Sequence, residues 1–301
     1  MAKIFFTSGT GYIGSAAARA AREAGHEVTA LARSENSIAQ LQEHGIKAHR
    51  GDIKQPQTYR DVLKNYDVVI HTAAVEGRDF PQVEEQVVNT VIEALRGTQK
   101  AFIYTSGVWV LGNTGEKPAT EETPTNPLPL VAWRPQIEQL VVAASKDGIR
   151  TVVVRPALVY GNAGGILNQL YINAKKNGQA TYIGNGENRW SLVHVEDLAR
   201  LYVLAAEKAP TGSILHGSDN KPATQKQVAE LIAEAAGVPG KVQGQTIEDA
   251  RNTFGVFADG LVLDQHIDAP NTRQVLNWEP TSRQIVDELK KPVKQLATPR
   301  K

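Results

Sequence analysis

At 301 residues the chain is long enough for one or two domains around a substantial buried core. Its 33 Lys and Arg nearly balance 32 Asp and Glu, and only a short basic C-terminal stretch departs from that balance, which argues against nucleic-acid and anionic-membrane partners. Cysteine is absent, which excludes disulfides, thiolate catalysis and Cys-based metal sites, and no signal-peptide pattern or membrane-length apolar run is visible, so a cytoplasmic protein with no bound metal is expected.

Up to about residue 155, apolar runs alternate with amphipathic stretches. Strands are expected over residues 3–7, 27–31, 47–50, 67–71, 101–105 and 151–155. Helices are expected over 12–24, 37–44, 57–64, 81–96 and 131–146, the first ended by Gly25. Strands separated by helix-length crossovers imply an α/β fold with a doubly wound parallel sheet. Residues 112–129 are rich in Pro, Thr, Asn and Glu and read as an exposed excursion. Beyond Pro156 the rhythm loosens, with helices expected near 166–177, 196–207, 225–236 and 282–291 among short strands and turns. The expected organisation is a dinucleotide-binding domain over 1–160, with returning segments near 192–217. A smaller, partly discontinuous lobe over 161–291 and a frayed tail over 292–301 complete it.

Gly9-Thr10-Gly11-Tyr12-Ile13-Gly14 is a GxGxxG motif that follows a strand and opens a helix. Glycines there tighten the turn and let the backbone approach a pyrophosphate, which meets unpaired helix N–H groups and a partial positive charge. A NAD-specific site carries a carboxylate at the end of the second strand, where it meets the ribose hydroxyls. Here that place holds Ala32, followed by Arg33 and Ser34, a guanidinium and a hydroxyl that suit a 2′-phosphate. NADP(H) is therefore expected in preference to NAD(H). Asp52 and Ile53, after the third strand, stand where the adenine would lie.

These motifs resemble those of the extended and atypical short-chain dehydrogenase/reductases, especially the NAD-dependent epimerase/dehydratase group, over nearly the whole chain. TSGTGYIG is similar to that family's TGGTGFIG, and the run Val68 to Ala74 resembles its fourth-strand motif, with Ala73 and Ala74 passing the cofactor. The run Arg155-Pro156 to Tyr160-Gly161 resembles RPxxVYG beside the nicotinamide, and Gly184 to Ala199 resembles GxG…R…HVxDLA. The resemblance implies a Rossmann fold and catalysis by a Tyr, a Lys four residues later and a Ser. The catalytic Ser position falls on Gly107, with Ser106 one place earlier and Thr105 on the strand end. The Lys position falls on Arg134 and the Tyr position on Leu130, so no YxxxK is present. Arg134 can hold a ribose or phosphate oxygen but cannot exchange protons near neutral pH.

Three sources could replace the missing acid: Tyr160, His194, or water paired with hydride transfer. Trp109, Trp133 and Trp190, with Leu130, point to an apolar aromatic pocket, and Asn162 and Arg189 are its polar candidates. The expectation is an NADP(H)-dependent oxidoreductase that reduces a small apolar or aromatic carbonyl, imine or conjugated alkene on a non-standard constellation. The alternatives are a non-catalytic NAD(P)-binding sensor or scaffold, and a nucleotide-sugar epimerase or dehydratase. A homodimer through the helices at 81–96 and 131–146 would follow the family's habit.

Overall fold

The alternation of apolar runs and amphipathic stretches builds a parallel sheet of seven strands in this computed structural model, which describes residues 1–73, 79–281 and 285–291. In chain order the strands are β1 (Lys3–Phe6), β2 (Glu27–Ala32), β3 (Lys47–Arg50), β4 (Val68–His71), β5 (Ala101–Thr105), β6 (Arg150–Pro156), β7 (Leu158–Tyr160), β8 (Ala180–Ile183), β9 (Arg189–Trp190), β10 (Leu192–His194), β11 (Ser213–Gly217), β12 (Ala223–Thr224) and β13 (Val242–Gln245). The helices are α1 (Tyr12–Glu23), α2 (Glu35–Glu43), α3 (Arg60–Leu63), α4 (Phe80–Leu95), α5 (Arg134–Ala143), α6 (Gly165–Asn177), α7 (Val195–Lys208), α8 (Gln225–Ala235), α9 (Ile247–Phe254), α10 (Ala258–Leu261), α11 (Pro270–Leu276) and α12 (Ile285–Lys290). The sheet order is β11-β6-β5-β4-β1-β2-β3, the doubly wound arrangement with chain reversal beside β1. Its last strand comes from far along the chain, where β11 pairs with β6 from Ser213↔Val152 to Gly217↔Pro156.

Side chains alternate between two buried layers, as a sheet covered on both faces requires. Ile4, Phe6, Ile70, Ile103 and Val152 enter the layer that α1 and α7 close, while Phe5, Val69, Phe102, Tyr104 and Val153 enter the layer under α4 and α5. Ala16, Ala17, Ala18 and Ala21 bury the Ala-rich face of α1, letting it lie close against α7. A third core, around Leu167, Trp190, Val228 and Ile232, belongs to the C-terminal part and includes the small β7–β10, β8–β13 and β9–β12 pairings.

Two expected helices are shorter than their apolar pattern. Residues 56–58 form a 3-10 turn, Tyr59 leaves helical geometry with its ring buried, and α3 follows as one turn. The helix expected from 131 begins at Arg134, because Pro135 lacks an N–H and sits in the first turn, where none is needed. Among the described residues no helix is long and apolar enough to cross a membrane. The expected tail at 292–301 and the start of the helix at 282–291 lie outside the described residues.

Candidate functional site

The carboxyl ends of β1, β4 and β5 meet at the chain reversal, where an open α/β sheet binds its ligands. The N-cap of α1 is Gly11, with φ −72° and ψ 166°, no side-chain cap and no acid in the first turn, so among the described residues no side chain caps the first helix amides. The three glycines divide their work. A Cβ on Gly9 would lie 2.5 Å from the Ala30 Cβ, and one on Gly14 would lie 2.1 Å from the Ser8 carbonyl oxygen, so both serve close packing. A Cβ on Gly11 would meet only the Ser8 Oγ, at 3.3 Å. Gly11 thus leaves an open cradle at an uncapped helix N-terminus, the fit a pyrophosphate requires. Thr10 is half-buried beside it and Ile13 packs on the sheet core. Tyr12 turns away: its hydroxyl donates to the Gly161 carbonyl at 2.7 Å, and burial, then the Glu196 carboxylate, push its phenol far above the ordinary range. A separate cavity of about 350 Å³, lined by His26, Asp67, Gln99, Arg150 and Glu207, lies at the sheet's amino edge, away from this cradle.

Beyond β2, Ala32 is buried and Arg33 is 71% exposed, 3.8 Å from the Asp52 carboxylate. Ser34 is already engaged as the N-cap of α2, accepting from the Ser37 amide at 3.1 Å. Asp52 accepts from the Lys54 amide at 3.0 Å, and the Ile53 carbonyl accepts from the Tyr59 hydroxyl at 3.3 Å. The Ala73 amide donates to Thr7 Oγ1 at 3.2 Å, and Ala74 lies outside the described residues.

At the end of β5, Thr105 bonds the Tyr202 hydroxyl at 2.7 Å. The Ser106 hydroxyl is buried with no hydrogen-bond partner among the described residues. A Cβ on Gly107 would meet nothing nearer than the Pro156 carbonyl oxygen at 4.0 Å, so the place of the family's serine is open space. Arg134 reaches this edge from the start of α5. Its Nη1 donates to the Tyr104 hydroxyl at 3.2 Å and the Thr105 carbonyl at 3.3 Å, 3.7 Å from Glu84 Oε1. The guanidinium lies 4.5 Å over Trp133 and 5.5 Å from the Phe80 ring, and Leu130 is half-buried in the short turn just before α5.

Glu84 and Tyr104 are neighbours of Arg134 that the sequence reading missed. In sequence Glu84 resembles the exposed polar residues that follow it, Glu85 and Gln86. Its spacing from Val87, Val88 and Val91 nonetheless places it in the apolar stripe of α4, and it is buried. A carboxylate inside a helical apolar stripe was the available signal.

Several expected site residues stand elsewhere. Tyr160 and His194 are paired in register between β7 and β10, so their rings meet edge-on at 5.2 Å inside the C-terminal core. His194 also caps α7 through Nδ1 and lies 3.1 Å from the Glu288 carboxylate. Neither is among the groups around Arg134. Trp190 does not line a cleft: it is buried, and its indole N–H donates to the Leu261 carbonyl at 2.9 Å. Asn162 is exposed and bonded to Glu196, alongside Arg19. Arg189 is held in a fork by Asp264 (2.8 and 2.7 Å), and that hydrogen-bonded pairing keeps the Asp264 carboxyl below its usual range. Trp109 stays half-exposed, edge-on to the exposed Phe257 at 5.2 Å and against Gly260, joining the sheet core to the C-terminal lobe.

The NAD dependent epimerase/dehydratase family model matches residues 4–216. An uncharacterized Schizosaccharomyces pombe protein is 35% identical over 295 residues, spanning 95% of this chain and 98% of its own. A Stigmatella aurantiaca 4-hydroxy-2-methyl-3-oxo-4-farnesyl-3,4-dihydroquinoline-1-oxide ketoreductase is 27% identical, with 83% of this chain and 78% of that protein aligned. The crystal structure of Bacillus anthracis dTDP-glucose 4,6-dehydratase in complex with NAD superposes with a TM-score of 0.81 at 20% identity, covering 96% of both chains. An open glycine cradle at the switch point of a seven-stranded doubly wound sheet, and a family match running from β1 to β11, together make this chain a member of the NAD dependent epimerase/dehydratase family.

Proposed function

We propose that the protein is an NADP(H)-dependent reductase of a small apolar or aromatic carbonyl, imine or conjugated alkene. The family binds NAD(P), and its members among the relatives include a ketoreductase. The observation that carries the proposal is the end of β5. There a fixed cation, Arg134, and a hydroxyl without a partner among the described residues, Ser106, stand on adjoining elements with the half-exposed rings of Trp109 and Trp133.

The bound dinucleotide would supply the hydride. The chain's own groups do the rest. Gly11 and the α1 amides receive the pyrophosphate; the exposure of Arg33 and the absence of an acid at Ala32 support its taking up a 2′-phosphate. Arg134 and Ser106 donate hydrogen bonds to a developing oxyanion or to the ribose, and the proton that completes the reduction comes from water. Tyr160 and His194, packed against each other, support this division less well as proton donors. Engagement of Arg189 by Asp264 likewise gives little support to a nucleotide-diphosphate grip.

A screen of NADPH oxidation across ketones, enones and imines tests the proposal, with turnover expected for at least one apolar member. The missing phenol at Leu130 favours one second reading, a dinucleotide sensor. Micromolar NADPH binding without turnover in any class would replace the reductase with it.

A further inference from the structure

Arg134 is not a loose surface cation. Behind it runs a buried line of polar groups that begins in the strand carrying the glycine motif. Thr7 Oγ1 accepts hydrogen bonds from the Thr72 and Ala73 amides at 3.1 and 3.2 Å, so its single proton goes to His71 Nδ1, 2.8 Å away. That fixes the tautomer of His71, leaving its proton on Nε2, 3.2 Å from Glu84 Oε2. The other oxygen of Glu84 accepts from the Tyr104 hydroxyl at 3.0 Å. Tyr104 in turn accepts from Arg134. Burial, then Glu84, push the Tyr104 phenol well above its ordinary range, so it remains a donor to Glu84. Burial alone would raise the Glu84 carboxyl, but His71, Arg134 and Tyr104 outweigh it and hold it below the usual range. Both hydrogen bonds that Arg134 makes to described residues leave from Nη1, so Nε and Nη2 have no protein acceptor among them.

We infer that Glu84, backed by His71, is a positioning residue for Arg134. It neutralises the guanidinium and locks its rotation between Trp133 and Phe80, so that the Nε and Nη2 edge is presented to the ligand at the end of β5. An arginine suits this role where a lysine would not: one planar fork makes the buried contacts through one nitrogen and keeps two others for the ligand. The inference rests on the proposed place of Arg134 in the site. It adds residues from β4 and α4 that touch neither cofactor nor substrate.

The test is a double-mutant cycle on the full chain with Glu84→Gln, Arg134→Ala and the pair. It is read in NADPH Kd by calorimetry and in kcat on the best substrate, with circular dichroism to verify folding. Each single variant is expected to lose about tenfold in at least one readout. The double variant is expected to be no worse than Arg134→Ala alone, because Glu84 acts only through the cation. Losses that multiply to about a hundredfold overturn the inference, since Glu84 then supports the fold independently. Should Glu84→Gln fail to fold, Tyr104→Phe removes the bridging hydroxyl at nearly constant volume and enters the same cycle. If folded Arg134→Ala changes neither Kd nor kcat, Arg134 is outside the site and the inference falls. If no substrate oxidises NADPH, the reductase reading falls on its own, and the cycle in Kd still decides the role of Glu84.

Discussion

A single methyl group placed on Gly11 should separate ligand binding from folding. Gly11 is extended, with φ −72° and ψ 166°, a conformation open to alanine. Its new Cβ would meet only a side-chain hydroxyl, at 3.3 Å. Restricting the unfolded chain favours alanine by about 0.4–1 kcal/mol, and losing a glycine N-cap opposes it by a similar amount, so folding stability should change by less than about 1 kcal/mol. That corresponds to a Tm shift within about 4 °C. The methyl would, however, project into the space where a pyrophosphate must approach the α1 amides. NADPH affinity should fall at least tenfold, about 1.4 kcal/mol or more. Gly14→Ala is the contrasting control. Its Cβ would sit 2.1 Å from a backbone oxygen that cannot rotate away, so α1 must shift and stability should drop by about 1–3 kcal/mol or more. Thermal melts and calorimetric titration of both variants decide the matter. A folded Gly11→Ala protein that binds NADPH as the parent does would refute the cradle as the dinucleotide site.

Arg33→Ala should reduce the preference for NADPH over NADH at least tenfold while leaving NADH affinity within about twofold, as measured by paired calorimetric titrations; unchanged preference would remove Arg33 from the 2′-phosphate site. Burial raises the half-buried Asp219 carboxyl to about 6, above its unfolded value. Such a group favours the folded state below about pH 4, and that contribution is lost as pH rises through 6. The full shift corresponds to about 3 kcal/mol, which partial exposure reduces to about 1–2. Asp219→Asn keeps the oxygen that accepts the Lys221 amide, so it should stabilise the protein by that amount at pH 7.5 and by nothing at pH 3.5 in urea titrations. An equal gain at both pH values would show that charge burial is not the cause.

The sheet was legible because strands buried on both faces have apolar centres, and β4 and β6 carry Val68–Ile70 and Val152–Val154. The glycine turn was legible for a related reason, since close approach and a cradle both need a missing side chain. What resisted reading were contacts set by distant pairing. Three-residue strands such as β7 and β10 carry too little periodicity to reveal that they pair, and only that pairing drives Tyr160 onto His194. Trp190 and Trp109 are equally aromatic in sequence. The first is drawn inward by its indole bond to Leu261, while the second, in the turn after Ser106 and Gly107, stays half-exposed. Glu84 was hidden because a carboxylate on a helix usually reaches water, and its partners come from β4, β5 and α5.

The late arrival of β11 bears on how the chain comes to be folded as it is synthesised. β6 ends at Pro156, yet its outer neighbour ends at Gly217, about sixty residues later. Until that segment leaves the ribosome, β6 presents a row of unpaired amides and carbonyls along a strand buried in the finished protein. During that interval the nascent sheet can accept a strand from another chain, and the pairing that closes it is of long sequence separation and therefore slow. A fragment ending before residue 213 would keep the whole glycine cradle and still be prone to aggregate. The dinucleotide half of this protein is thus not a free-standing module, since its sheet is sealed only by chain that has first passed through β7 to β10 and α6 to α7.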